Sequence, residues 1–306
     1  MYRLSKTSKK STVSSSQQHL PISAVILTYN EEINLVGCLQ SLVGWVGEIF
    51  VVDSGSEDRT QDIAREYGAI VLCHPYEGPR QQWEWALANI SFAHDWFLML
   101  DADLRISPTL QQSIAQALSQ QSDSCDGYYL GRLQLFRGQP LRHGGMYPRY
   151  QLRLVRLSQA SFSQGDTLMD EQWSVTGQTA RLKGDLIEEN VKEDDIMFYL
   201  QKHLRYATLQ AQQELLWHTQ RKTIPALSLA TLQNASQRKA WLKDLWNRLP
   251  FFLRPFIYFI YRYIFLLGFL DGKQGFVYHF LQAWWYRVVV DIKLEELIKE
   301  QLTTEY

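Results

Sequence analysis

The chain has 306 residues, 46% of them apolar and 21% charged. That is enough to bury a core for one large α/β domain and a smaller appendage, and it argues against wholesale disorder. Its three cysteines, Cys38, Cys73 and Cys125, are few, odd in number and far apart, which argues against a disulfide framework or a zinc site and fits a reducing compartment. The net charge of -1 hides an asymmetry: residues 1–200 hold 17 Lys and Arg against 24 Asp and Glu, residues 201–306 hold 14 against 8. Acid clusters in the front half can attract a divalent cation, and a basic rear half suits anionic lipid or a phosphorylated acceptor.

Residues 1–20 are rich in Ser, Lys and Gln and have no apolar core of a signal peptide, so a disordered basic tail is expected there. Ile22–Leu27 is a short apolar run and reads as a buried strand, after which Asn30 is placed to cap a helix carrying Leu35, Leu39 and Leu42. A strand at Ile49–Val52 follows, then a polar turn and a helix through Ile63 and Ala64 that stops at Gly68. Ala69–Leu72 is a third strand, Arg80–Ala88 a helix, Trp96–Leu100 a fourth strand, and Ser107-Pro108 opens a further helix. Tyr128–Phe136 and Tyr150–Leu157 read as longer strands, the second carrying Arg153 and Arg156 among its leucines. From Glu193 helical signals dominate, which divides the chain into a catalytic domain over 21–200 and a helical region over 201–306.

Strands alternating with helices of about ten residues predict an α/β fold with a mostly parallel sheet covered on both faces. Ligands of such sheets bind outside the carboxyl ends of the strands. Three strand ends there carry polar groups: Thr28-Tyr29-Asn30-Glu31, Asp53-Ser54-Gly55-Ser56 and Asp101-Ala102-Asp103. Two carboxylates one residue apart after an apolar strand can reach a hard cation and the diphosphate it bridges. Asp53 reads either as a turn residue or as an acceptor for a base or ribose, with Ser54 and Gly55 allowing close approach of a nucleotide. A dinucleotide fold is excluded by the lack of G-x-G-x-x-G after the first strand, and a P-loop by the lack of its lysine motif.

The segments Ala24–Glu32, Val51–Asp58 and Leu100–Asp103, in this order and spacing, resemble the nucleotide-binding half of family 2 glycosyltransferases, and Gly268–Gln282 resembles the branch with lipopolysaccharide-core β-glucosyltransferases. The resemblance implies a GT-A fold and an inverting transfer from a UDP- or GDP-sugar to a lipid-linked or glycan acceptor. In it Tyr29 and Asp53 would hold the base, Glu31 would lie near the ribose, and Arg80 would face the donor. Asp101 would touch the ribose or the metal shell, and Asp103 would bind Mg²⁺ or Mn²⁺. It also implies a catalytic base after the second half of the sheet, where Asp170-Glu171 stands, with Glu171 as base and Asp170 as its neighbour or alternate. The chain departs from the family pattern at Leu104, Met146, Arg149 and Trp83; Met146 and Arg149 lie on the acceptor side. A nucleotide-binding scaffold and a sugar nucleotidyltransferase are the alternatives, the latter without its triphosphate loop. Nothing calls for a nucleic-acid partner.

Phe251–Leu270 is long enough to cross a bilayer, but Arg254, Pro255 and Arg262 interrupt it, and a mid-helix arginine costs about 2.5–3.5 kcal/mol on insertion scales. With its tyrosines, with Trp284-Trp285 beside Arg287, and with 12 basic against 3 acidic residues over 201–290, this region predicts amphipathic helices lying in a headgroup layer. The expected place is the cytoplasmic face of the plasma membrane, peripherally bound. Packing of these helices on the catalytic domain, or a dimer interface, is the alternative.

Overall fold

The apolar runs of the front half become the strands of one sheet. The computed structural model describes residues 19–119, 125–162, 173–220, 245–246 and 248–304. In chain order the front half gives β1 (Leu20–Thr28), α1 (Glu32–Gln40), β2 (Val46–Asp53), α2 (Thr60–Glu66), β3 (Ile70–Cys73), α3 (Pro79–Asn89), β4 (Trp96–Asp101), β5 (Leu104–Ile106) and α4 (Pro108–Ser119). Then come β6 (Cys125–Phe136), β7 (Gln139–Pro140), β8 (Arg149–Arg156), β9 (Ala160–Phe162), β10 (Trp173–Val175) and β11 (Gln178–Glu188). The main sheet runs β3-β2-β1-β4-β8-β6-β11-β5, with β7 added on β6, while β9 and β10 form a separate antiparallel pair. β3, β2, β1 and β4 are mutually parallel, β8 runs against β4 and β6, and β5 runs against β11. This is the α/β, GT-A type of architecture.

Both faces of the sheet are covered, which is why its strands read as unbroken apolar runs. On one face Ile22, Ala24 and Ile26 pack with Leu35, Leu39 and Leu42 from α1. On the other, Val25, Phe97 and Met99 pack with Trp83 and Ala86 from α3. Trp83, unexpected from the family pattern, is fully buried edge-on to Phe97 and Trp173 at 6.0 and 5.8 Å. Ser107 secures the start of α4, its hydroxyl accepting from Leu110 N and Asp185 N. α4 approaches β11 so closely that a Cβ on Gly184, at φ 94°, would lie 2.3 Å from Leu110 N.

One expectation is corrected here. Asn30 does not cap α1, which begins at Glu32 behind Glu31 with no side-chain cap. Asn30 has a left-handed backbone (φ 54°), and its side-chain oxygen accepts instead from Glu57 N at 2.8 Å. A short amide tolerates that conformation, and it ties the first motif to the second.

After the sheet come α5 (Ile196–Gln220), α6 (Leu253–Ile260), α7 (Gly272–His279) and α8 (Tyr286–Thr304), with π-helical turns at Tyr261–Phe265 and Phe280–Trp285. α5 and α8 pack through Ala207, Ala211, Tyr286, Val290 and Leu294. Arg254 is buried between them: Nε donates to Asp291 Oδ1 at 2.7 Å and Nη2 to Glu214 Oε2 at 2.8 Å. Arg262 is buried too, Nε donating to Gly144 O at 2.8 Å. The two arginines that interrupt the apolar stretch therefore point into the protein. The outward side of the same stretch carries Phe252, Leu253, Phe256, Ile257, Phe265 and Leu270, all exposed. No single described helix is long and apolar enough to cross a membrane; the pair Leu253–Phe265 and Gly268–Gln301 has the length and composition but is bent by 72°.

Candidate active site

Strand register brings the three motifs together. β1 and β2 pair Thr28 with Asp53, while β1 and β4 pair Leu27 with Asp101. Adjacent strands lie about 4.8 Å apart, so three polar strand ends share one edge of the sheet.

Asp53 is fully buried and organises the loop around it. Oδ1 accepts from Gly55 N at 3.1 Å, Ser56 N at 2.8 Å and Gln61 Nε2 at 2.8 Å; Oδ2 accepts from the Thr28 hydroxyl at 2.9 Å and the Ser56 hydroxyl. These bonds occupy both oxygens, so the carboxylate shapes the turn. Gly55, at φ 90°, makes that turn possible. Ser56 also accepts from Asn30 N at 2.8 Å, locking the loops after β1 and β2 together. The Ser54 hydroxyl accepts from Gln82 Nε2 at 2.7 Å. Tyr29, which follows β1 beside this loop, is 56% exposed and offers an aromatic surface to solvent.

Glu31 is held from the far end of the sheet. Lys192, in the turn after β11, reaches Glu31 Oε1 and donates to Asn30 O at 3.1 Å. Asn34 Nδ2 donates to Glu31 Oε2 at 2.8 Å and to Asn190 Oδ1 at 3.0 Å. Arg80 sits on the exposed first turn of α3, its Nε 2.7 Å from Glu84 Oε1.

The acidic edge is built by Asp101, Asp103 and Glu188. Arg153 Nη2 donates to Asp101 Oδ2 at 3.0 Å, and Arg132 Nη1 pairs with Glu188 Oε2 at 2.7 Å. Asp103 O accepts from Glu189 N at 2.9 Å, and no hydrogen bond to its carboxylate is found among the described residues. Burial, then the charges of Glu188 and Asp101, push the Asp103 carboxyl up to about 8, with Lys202 opposing. Burial and the same two aspartates push the Cys38 thiol upward behind it.

Among the described residues no three His, Cys, Asp or Glu side chains are grouped to cage a metal ion. A cation that keeps waters and shares a diphosphate with the protein needs only one or two carboxylates. Asp103, repelled by Glu188 and Asp101, fits that need, with Asp101 beside it.

The structure thus gathers Thr28, Tyr29, Asn30, Glu31, Asp53, Ser54, Gly55, Asp101 and Asp103 at one edge, and places Arg80 on a helix surface. Asp170 and Glu171 lie outside the described residues. Sequence reasoning missed Lys192, Asn34, Glu188 and the partnership of Arg153. An arginine among leucines in β8 was a signal for Arg153; Glu188-Glu189 closes β11 as Asp101 closes β4, but β11 itself was not read.

Residues 23–169 match the model of glycosyl transferase family 2. The chain is 25% identical over 279 residues to the lipopolysaccharide core biosynthesis glycosyltransferase LpsC of Rhizobium meliloti (strain 1021), covering 86% of this chain and 91% of that protein. An uncharacterized glycosyltransferase of Rickettsia typhi is 34% identical over 118 residues, which span 38% of this chain and 40% of the relative. Among solved structures, a glucosyl-3-phosphoglycerate synthase of Mycobacterium tuberculosis in complex with Mn²⁺, UDP and glucosyl-3-phosphoglycerate superposes with a TM-score of 0.37 at 19% identity, over 57% of this chain and 74% of that one. So loose a superposition carries nothing about ligands. The stretch that carries the three motifs in register on one sheet edge is thus the stretch that matches glycosyl transferase family 2.

Proposed function

We propose that the protein transfers a sugar, with inversion, from a nucleoside diphosphate sugar to a hydroxyl of a lipid-linked or polysaccharide acceptor in cell-envelope glycan synthesis. The observation that carries this reading is the placing of Asp103 and Asp101 at the sheet edge that also bears Tyr29 and the Asp53 loop. The likeness to a lipopolysaccharide core enzyme supports an envelope acceptor.

Tyr29 takes the base by stacking, while the loop held rigid by Asp53 presents the Ser54 hydroxyl to the nucleotide. Asp103, with Asp101, would hold Mg²⁺ or Mn²⁺, which when bound neutralises charge on the departing diphosphate. Glu31, anchored by Lys192 and Asn34, borders the ribose. The base that removes the acceptor proton is assigned to Glu171, with Asp170 as alternate. One displacement at the anomeric carbon inverts it.

The rear half binds the surface of an anionic bilayer on its cytoplasmic side. Exposed Phe252, Phe256, Phe265 and Leu270 form an apolar outward face, and the sole acid between residues 248 and 290, Asp271, is buried. A face with aromatic and aliphatic groups and no exposed carboxylate suits the headgroup boundary.

The test is release of nucleoside diphosphate from UDP- and GDP-sugars by the full-length protein with Mn²⁺ and membrane extract, with the anomeric configuration of the product read by NMR. Turnover of at least one donor into an inverted product is expected. Nucleotide binding with no turnover of any donor would leave a scaffold, and retained configuration would overturn the single displacement.

A further inference from the structure

Beyond the donor edge, one face of the sheet carries a group of arginines that the donor does not use. β6 and β8 pair Arg132 directly with Arg149 and Leu130 with Gln151. Directly opposed residues of an antiparallel pair point to the same face, and like charges there are unfavourable. Leu130 and Leu186, which flank Arg132 on that face, belong to the α1 side of the core, so Arg149, Gln151 and Arg132 look the same way.

The pairing skips Arg153: Tyr128 faces Leu154 and Tyr129 faces Leu152. Arg153 is thus the extra residue of a bulge, a device that re-aims a side chain, and it turns to Asp101. The face therefore runs from the donor acids through Arg153 and Gln151 to Arg149, a span of about 13 Å at the usual rise of a strand. Gln151 Oε1 is buried along this track with no hydrogen-bond partner among the described residues.

The guanidiniums at the far end are short of counter-charge. Glu188 neutralises Arg132 at 2.7 Å. Arg149, exposed, donates only to a neutral carbonyl, Gly145 O at 3.2 Å, and buried Arg262 donates to Gly144 O at 2.8 Å and to Met146 Sδ. Neither forms an ion pair among the described residues. Burial, Arg262 and Arg149 push His279, packed against Gly144, down to about 4, so it is neutral and adds no charge. Tyr278 closes the same face, its hydroxyl donating to Gln134 Oε1 at 3.1 Å. Arg149, open to solvent and backed by Arg262 and by the Glu188-paired Arg132, makes a seat for an anion.

The geometry points to Arg149, backed by Arg132 and Arg262, as a specificity site that binds an anionic group, phosphate or carboxylate, on the acceptor, about 13 Å along β8 from the Asp101 edge. This rests on the transferase reading, because it assigns the anion to the acceptor. The anion site itself stands on the arginines alone. The departure of Arg149 and Met146 from the family pattern is then the mark of a charged acceptor, Met146 supporting Arg262 from behind.

The test uses full-length protein whose donor site is first saturated with UDP and Mn²⁺. Calorimetric titration with inorganic phosphate, glucose 6-phosphate and glucuronate at low ionic strength then separates phosphate from carboxylate as the preferred group. We expect saturable binding of at least one probe, weakened at least tenfold by Arg149→Ala and partly restored in Arg149→Lys, with UDP binding unchanged and Arg137→Ala, on the neighbouring turn, without effect. Absence of binding by all three probes, equal binding to Arg149→Ala, or an equal loss in Arg137→Ala would overturn the site. Loss of UDP binding in the unaltered protein, with Arg149-dependent anion binding intact, would instead count against the transferase reading.

Discussion

Arg153 Nη2 lies 3.0 Å from Asp101 Oδ2, joining the bulge of an antiparallel strand to the acid that ends the central parallel one. This pair fixes the direction of the Asp101 carboxylate. Replacing the partner that orients a metal-shell acid costs roughly 10–100-fold in metal affinity or activity. Arg153→Lys, which keeps charge but loses the planar fork, should therefore lower kcat/KM into that range while the fold, followed by circular dichroism, persists. Unaltered activity would remove Arg153 from the site.

The Asp103 carboxyl, pushed up to about 8 from an ordinary value of 3.8, links metal, pH and stability. Without metal, folded Asp103 keeps a proton that the unfolded chain has already released between these values. Its contribution to stability is therefore full below the ordinary value and is lost as pH rises toward 8. Asp103→Asn has no such loss. Thermal melts in chelator should show the variant gaining on the unaltered protein as pH is raised from 5 to 8.5, by roughly 2–4 °C for each kcal/mol relieved. Parallel melting curves across that range would contradict the assigned burial of charge.

Arg254 neutralises both Glu214 and Asp291 in the interior of the helical region. Its removal leaves buried Asp291 without a cation and Glu214 with Arg287 alone, at 3.3 Å, and breaking a buried pair in this way costs about 3–5 kcal/mol. Arg254→Met should lower the melting temperature by on the order of 10 °C, and adding Glu214→Gln with Asp291→Asn should restore much of it. A melt unaffected by Arg254→Met would show that the triad is solvated.

The outward face of residues 252–270 should hold the protein on lipid. Side chains such as Phe and Leu gain about 1.5–3 kcal/mol each on full burial. Phe256→Ser, Phe265→Ser and Leu270→Ser together should weaken co-sedimentation with anionic phosphatidylglycerol vesicles by more than tenfold. The melting temperature should stay unchanged, since all three are exposed. Equal sedimentation of the triple variant, or none by the unaltered protein, would assign this face to a protein partner.

The front half of the fold was legible because its strands are short, mostly apolar runs between helical periods, as Ile22–Leu27 and Trp96–Leu100 show. The strand-end acids were legible for the same reason: Asp53 and Asp101 end such runs. β11 escaped because Gln178–Glu188 is mostly polar and half-exposed, and it earns its place by pairing with β6 and β5. With it were lost Glu188 and the turn that brings Lys192 to Glu31, a contact across 161 residues. The role of Asp53 was also only half visible. Sequence shows a carboxylate at a turn, and only coordinates show that five donors already occupy it. In the rear half, composition shows how many arginines the apolar stretch holds; packing decides that Arg254 and Arg262 face inward.

The central claim is that Asp103 holds a divalent cation that carries the donor diphosphate. Calorimetric titration of UDP, with Mn²⁺ and with chelator, into the unaltered protein and Asp103→Asn tests it most directly. Mn²⁺ should tighten UDP binding at least tenfold in the unaltered protein and leave the variant near its chelator value. The same Mn²⁺-dependent affinity in both proteins would contradict the account.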